Sequence, residues 1–283
     1  MKTWTTGVFN DGMAWSSVGD GDKVAILIPG GPGNLAPGSG FLARLEAKSL
    51  APLLDAGYRL VTVTRRRNMP QGHSVADMAQ DYADMIATEF DGRIELVIGT
   101  SYGGLIAQYL AAEHDHCFDH IVVLVAACDI SQEKSADYAF AKALSEGRNY
   151  AAGAEISGTL FPNWRFPRLA RLTAGLLMWL SVRAGKHDFL ASDVMVEAKA
   201  EMQFNSRAIL SKISVPVLLI AGDKDTYFTE ALTRETSSLI PNCQLRMYAG
   251  KGHVDAAIDR RVADDILAFV SSHRQGQCAA SMP

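Results

Sequence analysis

Short apolar runs, most of them rich in branched residues, recur along this chain at residues 23–28, 58–64, 94–98, 121–125, 217–220 and, more weakly patterned, 244–248. Apart from the last, they do not alternate with polar residues as a strand with one wet face would, so they read as strands covered on both sides. Between them lie segments with apolar residues at helical spacing, at 41–55, 75–89, 102–113, 230–239 and 255–271. Buried strands alternating with amphipathic helices constrain the chain to an α/β domain with a mainly parallel sheet flanked by helices. The first twenty residues differ. Asn10-Asp11-Gly12 between two short strand-like runs predicts a hairpin and an antiparallel edge, which brings the expected sheet to eight strands.

The alternation stops after residue 130. From 131 to 210 there are helical patches and turn residues but no convincing strand, until Ser214-Val215-Pro216 restarts the sheet. That stretch is too long for a plain loop in a compact domain, so residues 131–210 are expected to be an inserted helical subdomain on a core formed by 1–130 and 211–283. Residues 275–283 read as a frayed tail.

Of the 283 residues, 27 are Lys or Arg and 31 are Asp or Glu, a net charge of −4 without a basic stripe, so no nucleic-acid partner is expected. Cys117, Cys128, Cys243 and Cys278 form neither a C-x-x-C pair nor a disulfide framework, and Met1 to Thr6 lack a secretory pattern. A cytoplasmic location follows as the expectation. The greasiest segment, Leu169 to Val182, is interrupted by Arg171 and falls short of the roughly 20 residues that span a bilayer, so no membrane partner is expected. The oligomeric state is left open.

The chemistry concentrates at Gly99-Thr100-Ser101-Tyr102-Gly103-Gly104, which follows one predicted strand and opens a helix. This is the strand, sharp turn, helix context of a G-x-S-x-G nucleophile elbow, where glycines permit the turn and the serine hydroxyl is exposed. A serine needs a base, and His253, in Gly250-Lys251-Gly252-His253 after the last strand, falls on the same carboxyl edge of the sheet. The imidazole in turn needs a carboxylate. Asp225, just beyond the strand at 217–220, is the first candidate, with Asp129 and Asp223 as rivals; Asp223 is expected to cap a turn. Acyl transfer also needs N–H donors for the developing oxyanion, and Gly31, in Pro29-Gly30-Gly31-Pro32-Gly33, and Tyr102 are placed to supply them.

With these residues in view, the chain resembles the α/β-hydrolase fold superfamily over almost its whole length. The resemblance rests on Gly99 to Gly104, on the order Ser101, Asp225, His253, and on Pro29 to Gly33. It implies a serine hydrolase whose inserted segment is a cap that sets substrate choice. In relatives a histidine precedes the glycine loop and supports it; here Pro29 stands in its place. Proline iminopeptidase relatives have a similar loop and capture a substrate amine with acidic cap residues, which the sequence does not single out here.

Other signals are discounted. His114-Asp115-His116 with His120 lies on the amino edge of the sheet without zinc-ligand spacing, so no metal is expected. The glycine loop lacks the G-K-[ST] ending of a phosphate loop, and no organic cofactor is expected. Arg65-Arg66-Arg67 is read as a solvated or ion-paired surface, with contact to an anionic substrate as the lesser alternative. The expected activity is hydrolysis of a carboxylic ester or lactone of a small hydrophobic substrate through an acyl-enzyme, with Trp164 and Trp179 lining the substrate pocket. The alternatives are amide, peptide, thioester or carbon–carbon hydrolysis on the same three residues, or a receptor that keeps the fold.

Overall fold

The computed structural model describes residues 4–9, 12–31, 49–131, 135–160, 165–183 and 191–280. Its strands are β1 (Trp4–Val8), β2 (Ala14–Val18), β3 (Lys23–Ile28), β4 (Tyr58–Val63), β5 (Ile94–Thr100), β6 (Phe118–Leu124), β7 (Val217–Gly222) and β8 (Cys243–Tyr248). They form one eight-stranded sheet in the order β1-β2-β4-β3-β5-β6-β7-β8. Only β2 runs against the others, antiparallel to both β1 and β4, with Trp4 opposite Val18 and Trp15 opposite Val63. The remaining neighbours are parallel. The expected amino-terminal hairpin is therefore present, although Asn10 and Asp11 of its turn lie outside the described residues.

The uninterrupted apolar runs follow from the two-residue period of a strand. In β3, Ile26 and Ile28 enter one buried cluster while Ala25 and Leu27 enter the other. In β7, Val217 and Leu219 part from Leu218 and Ile220 in the same way. The first cluster is closed by α2 (Val75–Glu89) and α3 (Tyr102–Glu113), and the second by α1 (Ala51–Asp55), α10 (His253–Ala257) and α11 (Val262–Ala280). α2 begins at a capping box in which Ser74 and Asp77 satisfy each other's backbone N–H groups. Residues 41–48 of the first expected helix are outside the described set, and the helix expected over 255–271 is broken in two. The break falls at Asp259, whose carboxylate accepts from the Arg261 N–H and holds the Arg261 guanidinium at 2.8 Å. Beyond it, α11 runs on to Ala280, through part of the expected tail.

Between β6 and β7 the described elements are all helical: α4 (Ser135–Ser145), α5 (Asn149–Leu160), α6 (Pro167–Arg183), α7 (Ala191–Met202) and the short α8 (Arg207–Leu210), while α9 (Glu230–Leu239) follows β7. Phe140, Leu144, Ala152, Val194 and Ala198 form a separate small apolar cluster within this helical stretch. α7 faces both ways, because its Val196 and Ala200 belong to the main core while Val194 and Ala198 belong to the helical cluster.

Candidate active site

The turn from β5 to α3 is made by a single residue. Ser101 sits at φ 53° and ψ −117°, a conformation that costs a non-glycine residue about 1–3 kcal/mol. The surroundings hold it: the Ser101 N–H donates to the Leu124 carbonyl at 2.8 Å, and the Gly104 N–H donates to the Ser101 carbonyl at 2.8 Å. A Cβ on Gly99 would lie 2.3 Å from the Gly103 oxygen, and one on Gly103 would lie 2.0 Å from the Ile28 oxygen. The helix therefore packs directly on the sheet, and no side chain fits at either position. Gly30 is equally confined, since its Cβ would lie 2.9 Å from the Ser101 Cβ.

Because β3, β5, β7 and β8 are parallel, the loops that follow them gather at one edge. There His253 Nε2 lies 2.9 Å from Ser101 Oγ, and His253 Nδ1 lies 2.7 Å from Asp225 Oδ2. The other Asp225 oxygen accepts from the Tyr227 and Phe228 N–H groups at 2.9 and 3.1 Å, so the buried carboxylate is fixed from behind. The rings of Tyr227 and Phe228 flank the imidazole, with centroids 5.5 and 5.7 Å away. A carboxylate, an imidazole and a hydroxyl thus form one hydrogen-bonded chain, the arrangement that general-base activation of an oxygen requires.

The rivals are engaged elsewhere. Asp129 pairs with Arg207 at 2.8 Å and accepts from the Ile130 N–H. Asp223 accepts from the Gly250 N–H, reaching across to the loop after β8 rather than capping its own turn. Gly31 has φ 72° and follows Gly30 in the loop after β3, while Tyr102 is the first residue of α3. Trp179 is on an exposed face of α6, its ring under the Arg183 guanidinium at 5.5 Å. Trp164 lies outside the described residues.

Arg65 departs from the expectation of a surface residue. It is fully buried and makes a forked pair with Glu197 of α7, Nε to Oε1 at 2.7 Å and Nη2 to Oε2 at 3.1 Å. Nη1 and Nη2 also donate to the Pro29 and Gly31 carbonyls, each at 2.9 Å. The glycine loop, lacking the preceding histidine, is thus held by a guanidinium from the loop after β4. Burial pulls the Arg65 pKa down, but the charge of Glu197 and its hydrogen bonds outweigh this and push it up. The Arg65 guanidinium also lies over the Tyr102 ring at 4.8 Å, and the buried Tyr102 hydroxyl donates to the Glu197 carbonyl at 2.9 Å. Burial pushes the Tyr102 phenol well up.

Glu197 belongs to a stripe of carboxylates one turn apart on α7. Asp193 accepts from the Asn68 and Met69 N–H groups, both at 3.0 Å, Glu197 holds Arg65, and Glu201 hydrogen-bonds Asp137 of α4. Burial and the charge of Asp137 hold the Glu201 carboxyl well above the usual range, and burial raises Asp137 as well. Asp137 is near enough to His253 for their charges to interact, and Glu201 Oε2 has no hydrogen-bond partner among the described residues although Glu201 is only 5% exposed. The sequence reading missed this stripe; its signal was the spacing of Asp193, Glu197 and Glu201 at every fourth residue in a helix otherwise rich in Ala and Val. No cluster of metal-ligating side chains occurs among the described residues.

The profile of a family described as "Alpha/beta hydrolase family" matches residues 25–264. A Yersinia enterocolitica protein described, provisionally, as the carbamate hydrolase RutD is 23% identical over 201 residues, 70% of each chain. Its Stutzerimonas stutzeri counterpart is 24% identical over 241 residues, 81% of this chain and 88% of the other. Among solved structures, an enol-lactonase from Burkholderia xenovorans LB400 superposes with a TM-score of 0.69 at 17% identity, covering 94% of this chain and 100% of that one. An esterase from Exiguobacterium antarcticum gives 0.69 at 18% identity, covering 94% and 99%. The solved structures bear on the fold alone; the family match spans most of the chain. This chain belongs to the alpha/beta hydrolase family and is a hydrolase.

Proposed function

We propose that the protein is a serine hydrolase that cleaves a carboxylic ester or lactone of a small hydrophobic substrate through an acyl-enzyme. The observation that carries this reading is the hydrogen-bonded chain Asp225, His253, Ser101, at 2.7 and 2.9 Å, on a strained elbow. In the reading, His253 Nε2 takes the Ser101 proton as Oγ attacks the carbonyl, and Asp225 keeps Nδ1 protonated and offsets the imidazolium charge. The Gly31 and Tyr102 N–H groups hold the oxyanion, and His253 returns the proton to the leaving alcohol. Water, deprotonated by the same imidazole, then frees the acid and Ser101. No step calls for a cofactor. Residues 131–210 act as a cap over the site, and Arg65 fixes the loop that presents Gly31. The buried free thiols of Cys117 and Cys128 agree with a cytoplasmic enzyme.

A second reading, cleavage of an amide, carbamate or aminoacyl bond, is favoured by Asp137 and Glu201. One proton shared between two buried carboxyls leaves one negative charge near His253, and an unsatisfied acceptor such as Glu201 Oε2 would suit a substrate N–H. One turnover screen separates the readings: p-nitrophenyl esters of rising acyl length, aryl lactones, carbamates and aminoacyl p-nitroanilides. The ester reading expects the highest kcat/KM on plain esters or lactones, with Asp137→Asn changing it little. Preference for the nitrogen-bearing substrates, with KM raised about tenfold or more by Asp137→Asn, would establish the second reading. Inactivity of the wild type on every substrate, Ser101 unreactive throughout, would overturn both.

A further inference from the structure

α6 is turned inside out. Its inner side is built of small residues: Ala170 is buried, a Cβ on Gly153 of α5 would lie 2.5 Å from the Ala174 oxygen, and one on Gly175 would meet the Tyr150 ring at 2.8 Å. The two helices therefore touch nearly backbone to backbone. The outer side carries Leu169, Leu172, Leu176, Leu177 and Leu180, all exposed, with Leu177 at 66%, and Phe166, just before the helix, is exposed too. At about 100° per residue these five leucines fall within a single arc of roughly 140°. One exposed leucine means nothing, but a contiguous face of this kind marks a contact surface.

The charge on the helix indicates what it contacts. Residues 165–183 contain Arg165, Arg168, Arg171 and Arg183 and no Asp or Glu, in a chain whose net charge is −4. Arg171 is matched by Glu155 of α5 at 3.1 Å, and Arg183 lies over the Trp179 ring. A second copy docked on this face through a two-fold axis would set arginines against arginines with no carboxylate on either helix to offset them. A layer of anionic headgroups supplies the opposite charge, and the boundary beneath it takes leucine and phenylalanine side chains. No helix among the described residues is long and apolar enough to cross a membrane. The sequence argument against a membrane partner concerned spanning segments, whereas lying in the interface requires only a face.

We propose that α6 docks this enzyme on an anionic membrane surface, with the helix lying flat and its leucine face in the headgroup boundary. The test is co-sedimentation of the full-length protein with vesicles of phosphatidylcholine alone or mixed with phosphatidylglycerol, at low and high salt, with analytical ultracentrifugation of the protein without lipid. The expected result is binding to the mixed vesicles that weakens with salt, little binding to phosphatidylcholine, and a monomer in the lipid-free run. Each arginine near such a surface contributes roughly fivefold in affinity, so Arg165→Gln/Arg168→Gln should weaken binding roughly 25-fold. Leu172→Glu/Leu176→Glu should abolish it while both variants hydrolyse a water-soluble ester at the wild-type rate, which shows that they fold. Absence of binding to mixed vesicles, or equal binding to both vesicle types, overturns the proposal. A dimer that Leu172→Glu/Leu176→Glu dissociates also overturns it and assigns the face to a second copy.

Discussion

Replacing Arg65 by methionine separates holding the fold from holding the reaction geometry. The substitution strands the buried Glu197 carboxylate, and removing one partner of such a pair costs about 3–5 kcal/mol. It also releases the Pro29 and Gly31 carbonyls, each bonded at 2.9 Å by a charged donor. With roughly 4 kcal/mol lost in all, Tm should fall by roughly 10 °C. Deleting an oxyanion donor outright costs about 10²–10³ in kcat, and a donor on an unbraced loop loses part of that, so kcat should fall about 10- to 100-fold with KM moving less than about threefold. Glu197→Gln is the control. It strands the buried guanidinium and should cost comparable stability, yet Arg65 can keep both carbonyls, so kcat should stay within about threefold of wild type. The assay is steady-state hydrolysis of a p-nitrophenyl ester beside thermal unfolding of each variant. Equal kcat losses in the two variants, or an unchanged kcat in Arg65→Met, would refute the reasoning and leave Arg65 a purely structural residue.

Two further outcomes follow from the geometry. Asp225→Asn should lower kcat by about 10⁴, as loss of the correct imidazole tautomer does elsewhere, whereas Asp129→Asn, whose carboxylate pairs with Arg207 and accepts from Asn205 and the Ile130 N–H, should leave kcat within about twofold when the two are assayed side by side. Glu201→Gln should flatten the dependence of stability on pH. Burial and Asp137 raise the folded-state pKa of Glu201, so above the unfolded value near about 4.3 the unfolded chain binds fewer protons than the folded one. Stability therefore falls by up to about 1.4 kcal/mol per pH unit until the folded pKa is reached. Urea unfolding between about pH 5 and about pH 7 should show a steeper decline for wild type than for Glu201→Gln, and equal declines would contradict the shared-proton account.

What could be read without coordinates is what the chain encodes locally. Strand cores at 23–28 and 217–220 announce themselves because each must be apolar on both faces. Ser101 is visible because its backbone conformation demands glycines beside it, and His253 because it follows the last strand. The acid was narrower than a certainty in sequence, since Asp129, Asp223 and Asp225 all follow strands; the Tyr227 and Phe228 N–H groups that fix Asp225 are a feature of the folded loop. Arg65 was misread because its role depends on Glu197, a residue 132 positions away, and three adjacent arginines look alike until one is buried. The outward leucines of α6 could not be recognised as a face for a related reason: apolar content predicts burial, and only the small residues at Gly153, Ala170 and Gly175 reveal which side faces the protein.

The central claim is that the Ser101 hydroxyl becomes the attacking atom because His253 removes its proton. Intact-protein mass spectrometry after exposure to a fluorophosphonate, followed by peptide mapping, tests it most directly. A single phosphonyl adduct on Ser101, absent in Ser101→Ala and formed several orders of magnitude more slowly in His253→Ala, is the predicted result. An adduct on another residue, or undiminished ester hydrolysis by Ser101→Ala, would contradict it.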